Sequence, residues 1–97
     1  MIRHIVLLKL KEETSAEAIE GISSALASMP EKIPQISNYV FGKDIAVSAG
    51  SADIGIMADF ESIENYKAYS SHPAHVAAVQ DVIKPHVAAK TAMQIEI

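Results

Sequence analysis

Ninety-seven residues, 49% of them hydrophobic and 21% charged, are enough for one domain spanning residues 1–97 and too apolar for a disordered chain. The absence of cysteine excludes disulfides, thiolate metal sites and thiol nucleophiles, and a net charge of −4 without a run of lysines excludes recognition of a nucleic-acid backbone. No stretch approaches the ~20 apolar residues of a membrane-spanning helix, and the apolar run at 5–8 is too short for a secretory signal, so a cytoplasmic protein with no membrane partner is expected.

Residues 2–11 open with Ile-Val-Leu-Leu and end in alternation, which reads as a strand apolar on both faces. His4, Val6, Leu8 and Leu10 share one face; Ile5 and Leu7 share the other. Thr14-Ser15-Ala16-Glu17 has the form of a capping box. Behind it Ala18, Ile19, Ile22, Ala25, Leu26 and Met29 recur at helical spacing, up to Pro30, which is expected to close the helix. Residues 34–47 return to β character, with Ile36 and Val40 on one face, Tyr39 and Phe41 on the other, and Gly42 placed as at a bulge or bend. After a turn at Ser48-Ala49-Gly50-Ser51, residues 52–60 alternate: Ile54, Ile56, Ala58 and Phe60 face one way, Asp53, Gly55, Met57 and Asp59 the other. Glu61-Ser62 begins a short helix through Ile63, Tyr66 and Tyr69, which His72-Pro73 breaks. Pro73 suits the first position of a second helical piece over 74–84, and Pro85 stops it. Residues 91–97 make the last strand.

This order, β-α-β-β-α-β, predicts an α+β fold: a ferredoxin-like plait, with an antiparallel sheet in the order 4-1-3-2 and the helices on one face. The uncovered face is assigned Ile5, Leu7, Ile54, Ile56, Ala58 and Phe60. An exposed apolar patch of that size marks an interface, so a two-fold homodimer joined sheet to sheet is expected.

The helix-side face then holds His4, Val6 and Leu8 beside Asp53, Gly55 and Met57, with a void above Gly55 and with Tyr69 and His75 hung over it by the helix break. A mostly apolar concavity with a few convergent polar groups is the usual form of a small-molecule site, here for a small apolar or aromatic ligand. A histidine with a pKa near ~6.5 moves protons at neutral pH, and a tyrosine beside it can hydrogen-bond an enolate oxygen. Enolisation, aldol-type ring closure or a keto–enol shift would suit the pair, with His75 as base, Tyr69 as oxyanion donor, His4 or Asp53 orienting the substrate and His72 beside them in the binding set. Each residue also has a plainer reading. His72 can be a helix-break residue bonded to backbone, His4 a satisfied core histidine, Tyr66 and Tyr69 packing residues, and Asp53 a loop hydrogen-bonder. His72 and His75 lie three apart, but Pro73 breaks the helix that would align them and no H-E-x-x-H pattern exists, so no metal and no cofactor are assigned.

These residues carry a family resemblance. The stretch from His4 to Lys11, HIVLLKLK, resembles the H-x-V-x-x-K-x-K opening of the stress-responsive A/B barrel (Dabb) family. Tyr39-Val40-Phe41-Gly42-Lys43-Asp44, Phe60-Glu61-Ser62 and Tyr69-x-x-His72-Pro73-Ala74-His75-Val76 are similar to its later segments, so the resemblance spans nearly the whole chain. It implies a dimeric α+β barrel in which two plaits join sheet to sheet. The family includes plant stress proteins and a polyketide cyclase. The resemblance puts that cyclase's catalytic tyrosine and histidine on Tyr69 and His75 and its first-strand histidine on His4. Its third-strand histidine falls at Asp53, where the pattern is missing. Two functions follow from the resemblance: a cofactor-independent cyclase-like lyase or isomerase, or a non-catalytic stress-response dimer.

Overall fold

A computed structural model describes residues 1–97. Ser15, not Thr14, starts the first helix, its side chain accepting the Ala18 N–H at 3.1 Å while the Thr14 hydroxyl donates to the Lys11 carbonyl at 2.7 Å. The expected capping box is thus replaced by a simple serine cap. Pro30 does not end the helix either. It falls in the last turn, where a missing N–H removes a single ladder bond, and the helix runs on to Lys32.

The elements are β1 (Ile2–Leu10), α1 (Ala16–Lys32), β2 (Asn38–Lys43), β3 (Ile54–Phe60), α2 (Ile63–Ser71), α3 (Pro73–Ala77) and β4 (Val87–Glu96). Between α3 and β4 the chain makes a π-helical turn, Ala78–Ile83, and a 3-10 turn, Lys84–His86. The strands form one antiparallel sheet in the order β2-β3-β1-β4, which is the ferredoxin-like plait read from the pattern. β4 starts at Val87 rather than at 91, and at its far end the chain ends meet: the Met1 amine lies 3.3 Å from the Ile97 carbonyl.

Register decides the faces, and here the sequence reading is corrected. His4 lies opposite Ala58, Val6 opposite Ile56 and Leu8 opposite Ile54, so these residues share one face, the one the helices cover. Ile54, Ile56, Ala58 and Phe60 are therefore core residues, 2%, 7%, 0% and 0% exposed, and not part of the uncovered face. Gly55 lies opposite Leu7 and Met57 opposite Ile5, which puts them on the helix-free side. The cause is that β1 is apolar on both faces. Alternation in β3 then fits either way, and a one-residue change of register exchanges every side chain. The more apolar set of β3 went where the helices are.

Gly42 makes no bulge; it pairs in register with Gly55. The irregularity sits in the β1–β4 pairing, where Lys9 faces Ala89 and Leu10 faces Val87, so Ala88 of β4 is the extra residue. There the Leu10 N–H donates to Asp53 Oδ2 at 2.7 Å, and the Asp53 N–H donates to the Leu8 carbonyl at 2.8 Å. Asp53 thus fastens the end of β1.

The core consists of two clusters. Val6, Leu8, Leu10, Ile22, Leu26, Ile54, Ile56 and Ile83 form the first; Met29, Ile33, Ala58, Phe60 and Tyr69 form the second. The helix-free face leaves Leu7, Val40 and Met93 at 45%, 66% and 54% exposure. One bidentate ion pair interrupts it: Arg3 holds both oxygens of Asp59, at 2.8 and 2.9 Å.

Candidate functional site

The helix break is centred on His72, which bonds to the backbone of both helices. Its backbone N–H donates to the Tyr69 carbonyl at 3.1 Å, closing α2, and its Nδ1 accepts the Ala74 N–H at 3.1 Å, opening α3. Pro73 takes the first position of α3, where its missing N–H costs nothing. The bend brings the rings of Tyr69 and His75 to a centroid separation of 4.4 Å. It also fixes a tautomer. His75 Nδ1 lies 3.1 Å from the Ser70 carbonyl, which can only accept, so Nδ1 carries the proton and Nε2 keeps a free lone pair.

Beneath the break is a cavity of about 520 Å³. Val6, Leu8 and Ile56 floor it from the sheet, Leu26 and Met29 wall it from α1, and Val79 and Ile83 reach it from the π-helical turn. Tyr66, Tyr69, His75 and His4 form its polar end, while Lys84 and Lys90 stand at its rim. Its volume falls within the range of ordinary ligand sites, and its lining is mostly apolar.

His4 is 7% exposed. The Gln94 amide nitrogen, a donor, lies 2.8 Å from His4 Nδ1, so Nδ1 accepts and the ring proton sits on Nε2. The His4 ring packs 5.0 Å from Tyr66 and 6.0 Å from Tyr69. Burial, helped by the charges of Lys90 and His75, pushes its pKa down to about 4, so His4 is neutral at pH 7. His75 is also lowered, chiefly by burial; its bond to Ser70 works the other way, and Lys90 and His72 add to the lowering. Burial, with Tyr66 beside it, pushes the Tyr69 hydroxyl up to about 12, so it keeps its proton. The site therefore presents a base, His75 Nε2, and two donors, the Tyr69 hydroxyl and the His4 Nε2–H.

Of the residues singled out from the sequence, His4, Val6, Leu8, Tyr69 and His75 line the cavity. His72 does not; its ring is used by the α3 cap. Asp53, Gly55 and Met57 do not either, because register sends Gly55 and Met57 to the opposite face and Asp53 is bonded at the end of β1. Gly55 opens no space above the helix side, since a side chain there would meet Leu7, at 3.8 Å, on the helix-free face. Gln94, Lys84 and Lys90 were not singled out. Gln94 is recognisable only once β4 is paired with β1, where it falls opposite His4. No group of three or more His, Asp or Glu side chains is arranged to hold a metal ion.

A four-stranded plait whose broken helix roofs an apolar cavity, with histidine and tyrosine at one end, defines a small ferredoxin-like α+β class. The sequence matches the model of the Stress responsive A/B Barrel Domain over residues 2–97, and the chain belongs to that family. It is 30% identical over 78 residues to olivetolic acid cyclase of Cannabis sativa, covering 77% of this chain and 76% of the cyclase. It is 31% identical over 78 residues to the stress-response A/B barrel domain-containing protein HS1 of Arabidopsis thaliana, covering 77% of this chain and 71% of that one. Among solved structures, a dimeric ferredoxin-like protein of unknown function from Thermobifida fusca shares a TM-score of 0.92 and 34% identity, over 99% of this chain and 90% of its own.

Proposed function

We propose that the chain works as a two-fold homodimer, a dimeric α+β barrel, whose cavity carries out acid–base chemistry on a small apolar or aromatic carbonyl compound without a cofactor. The observation that carries this reading is the Ser70 carbonyl bonded to His75 Nδ1, which leaves Nε2 as a base beside a protonated Tyr69. His75 Nε2 would remove a proton from the carbon next to a carbonyl. The electron pair would move to the carbonyl oxygen, held by the Tyr69 hydroxyl with the His4 Nε2–H as second donor. The enolate carbon would then attack a second carbonyl of the same molecule and close a ring, and the His75 imidazolium would return its proton to the new alkoxide. Similarity to olivetolic acid cyclase supports that reaction class. Exposed Leu7, Val40 and Met93, together with the dimeric state of the Thermobifida fusca relative, support the assembly.

A second reading, a non-catalytic stress-response dimer, is favoured by the same two histidine–backbone bonds, because they close the helix break whether or not a ligand is present. Native mass spectrometry of the protein from its own host, followed by assay of the released molecule, separates the two. The expected result is a dimer carrying an apolar compound, whose turnover falls ~10²–10⁴-fold in His75→Gln. An empty dimer, or unchanged turnover in the variant, favours the non-catalytic reading; a monomer removes the interface.

A further inference from the structure

The rim of the cavity is one-sided in charge. Its lining holds Lys84, Lys90 and two histidines but no aspartate or glutamate, in a chain with 12 acidic residues against 8 lysines and arginines. Neither rim lysine is in an ion pair; the chain's ion pairs are Arg3 with Asp59 and Lys9 with Asp53. Lys90 stands on β4 opposite Leu8, and two further residues on the same face, Ala92 and Gln94, lead from it to His4. At ~3.4 Å per residue this track is about 14 Å long, and its middle step is the small side chain of Ala92. Lys90 is near enough to both imidazoles for its charge to disfavour their protonation.

We propose that the cavity binds an apolar carboxylate, its hydrocarbon or aryl body against Val6, Leu8, Leu26 and Ile56 and its charged group at the rim between Lys90 and Lys84. This names the ligand class for the small-molecule reading above and rests on it. A cation at the mouth of an apolar cavity is less screened than one on a flat surface, so it selects for an anion among ligands of equal shape. The carboxylate has a consequence for the base as well. By offsetting the Lys90 charge it raises the proton affinity of His75, so binding of the ligand makes the base stronger.

Titration calorimetry with 4-phenylbutyrate and with the neutral, nearly isosteric 4-phenylbutyramide tests this on the intact protein. The acid is expected to bind tighter than the amide by about 4- to 25-fold, at roughly two- to fivefold per lysine. Lys90→Gln and Lys84→Gln each remove their share, the double variant erases the preference, Lys90→Arg retains it, and amide binding is unmoved throughout. Added salt weakens the acid alone, and NMR titration of the His75 ring shows its pKa rising when the acid is bound. Equal binding of acid and amide overturns the inference while leaving the cavity reading intact. Binding of neither overturns both, and an acid preference that survives the double variant overturns the role of the lysines.

Discussion

Both faces of β1 carry large aliphatic side chains, and these end in different surroundings. His4, Val6, Leu8 and Leu10 are between 3% and 8% exposed, while Leu7, between Val6 and Leu8, is 45% exposed. The covered face is completed within one chain by α1, α2 and the π-helical turn, and it includes both the core and the cavity floor. The other face keeps Val40 and Met93 in the open around the Arg3–Asp59 pair. Apolar character alone thus does not assign a residue to the core. Cover does, and cover depends on which residues the register brings to the helix side.

The largest effect that tests this contrast is expected at Phe60, which is fully buried and packs 4.9 Å from the Tyr69 ring. Phe60→Ala should cost ~3–5 kcal/mol in denaturant melts. A loss below ~1 kcal/mol would return Phe60 to the open face.

Acid should act next, through His4. Its folded pKa of about 4 lies below the ordinary value of 6.5, so the folded state prefers the neutral ring. Stability is then complete above pH 6.5 and falls as pH drops towards 4, by roughly 2 kcal/mol once solvent screening is allowed for. His75, also lowered, adds in the same direction. Asp59, lowered by its hydrogen bond to Arg3, loses its contribution only at lower pH, through the depressed carboxylate range. Thermal melts from pH 7 to 4 should therefore show a slope that His4→Gln reduces; an unchanged slope would mean that His4 is not the buried titrating group.

Leu7→Lys should change chain stability least, by less than ~0.5 kcal/mol, yet sedimentation should show the dimer dissociating. If the dimer persists, the helix-free face is not where the chains meet.

The order of elements was legible because its signals are local: alternation in 52–60, helical spacing in 18–29, and proline at 73 and 85. Tyr69 and His75 were legible for the same reason, since they flank the His72-Pro73 break that orients them. What was not legible depends on pairing between distant strands. Asp53 was read as a pocket residue because it shares the alternation of β3, whereas its carboxylate serves the Leu10 N–H across the sheet. Gln94 gave no signal, because its partner lies 90 positions away. A binary pattern holds periodicity and not register.

The joined ends of the chain give the site a mechanical property. The Ile97 N–H donates to the Met1 carbonyl at 2.9 Å, at the end of two antiparallel neighbours. A force on the two termini would load the β1–β4 bonds one at a time, as in a zip, and not together in shear. Only three rungs, Met1–Ile97, Ile2–Glu96 and Arg3–Ile95, precede His4–Gln94. Fraying from the ends therefore reaches the bond that fixes the His4 proton while the helices above are still in place.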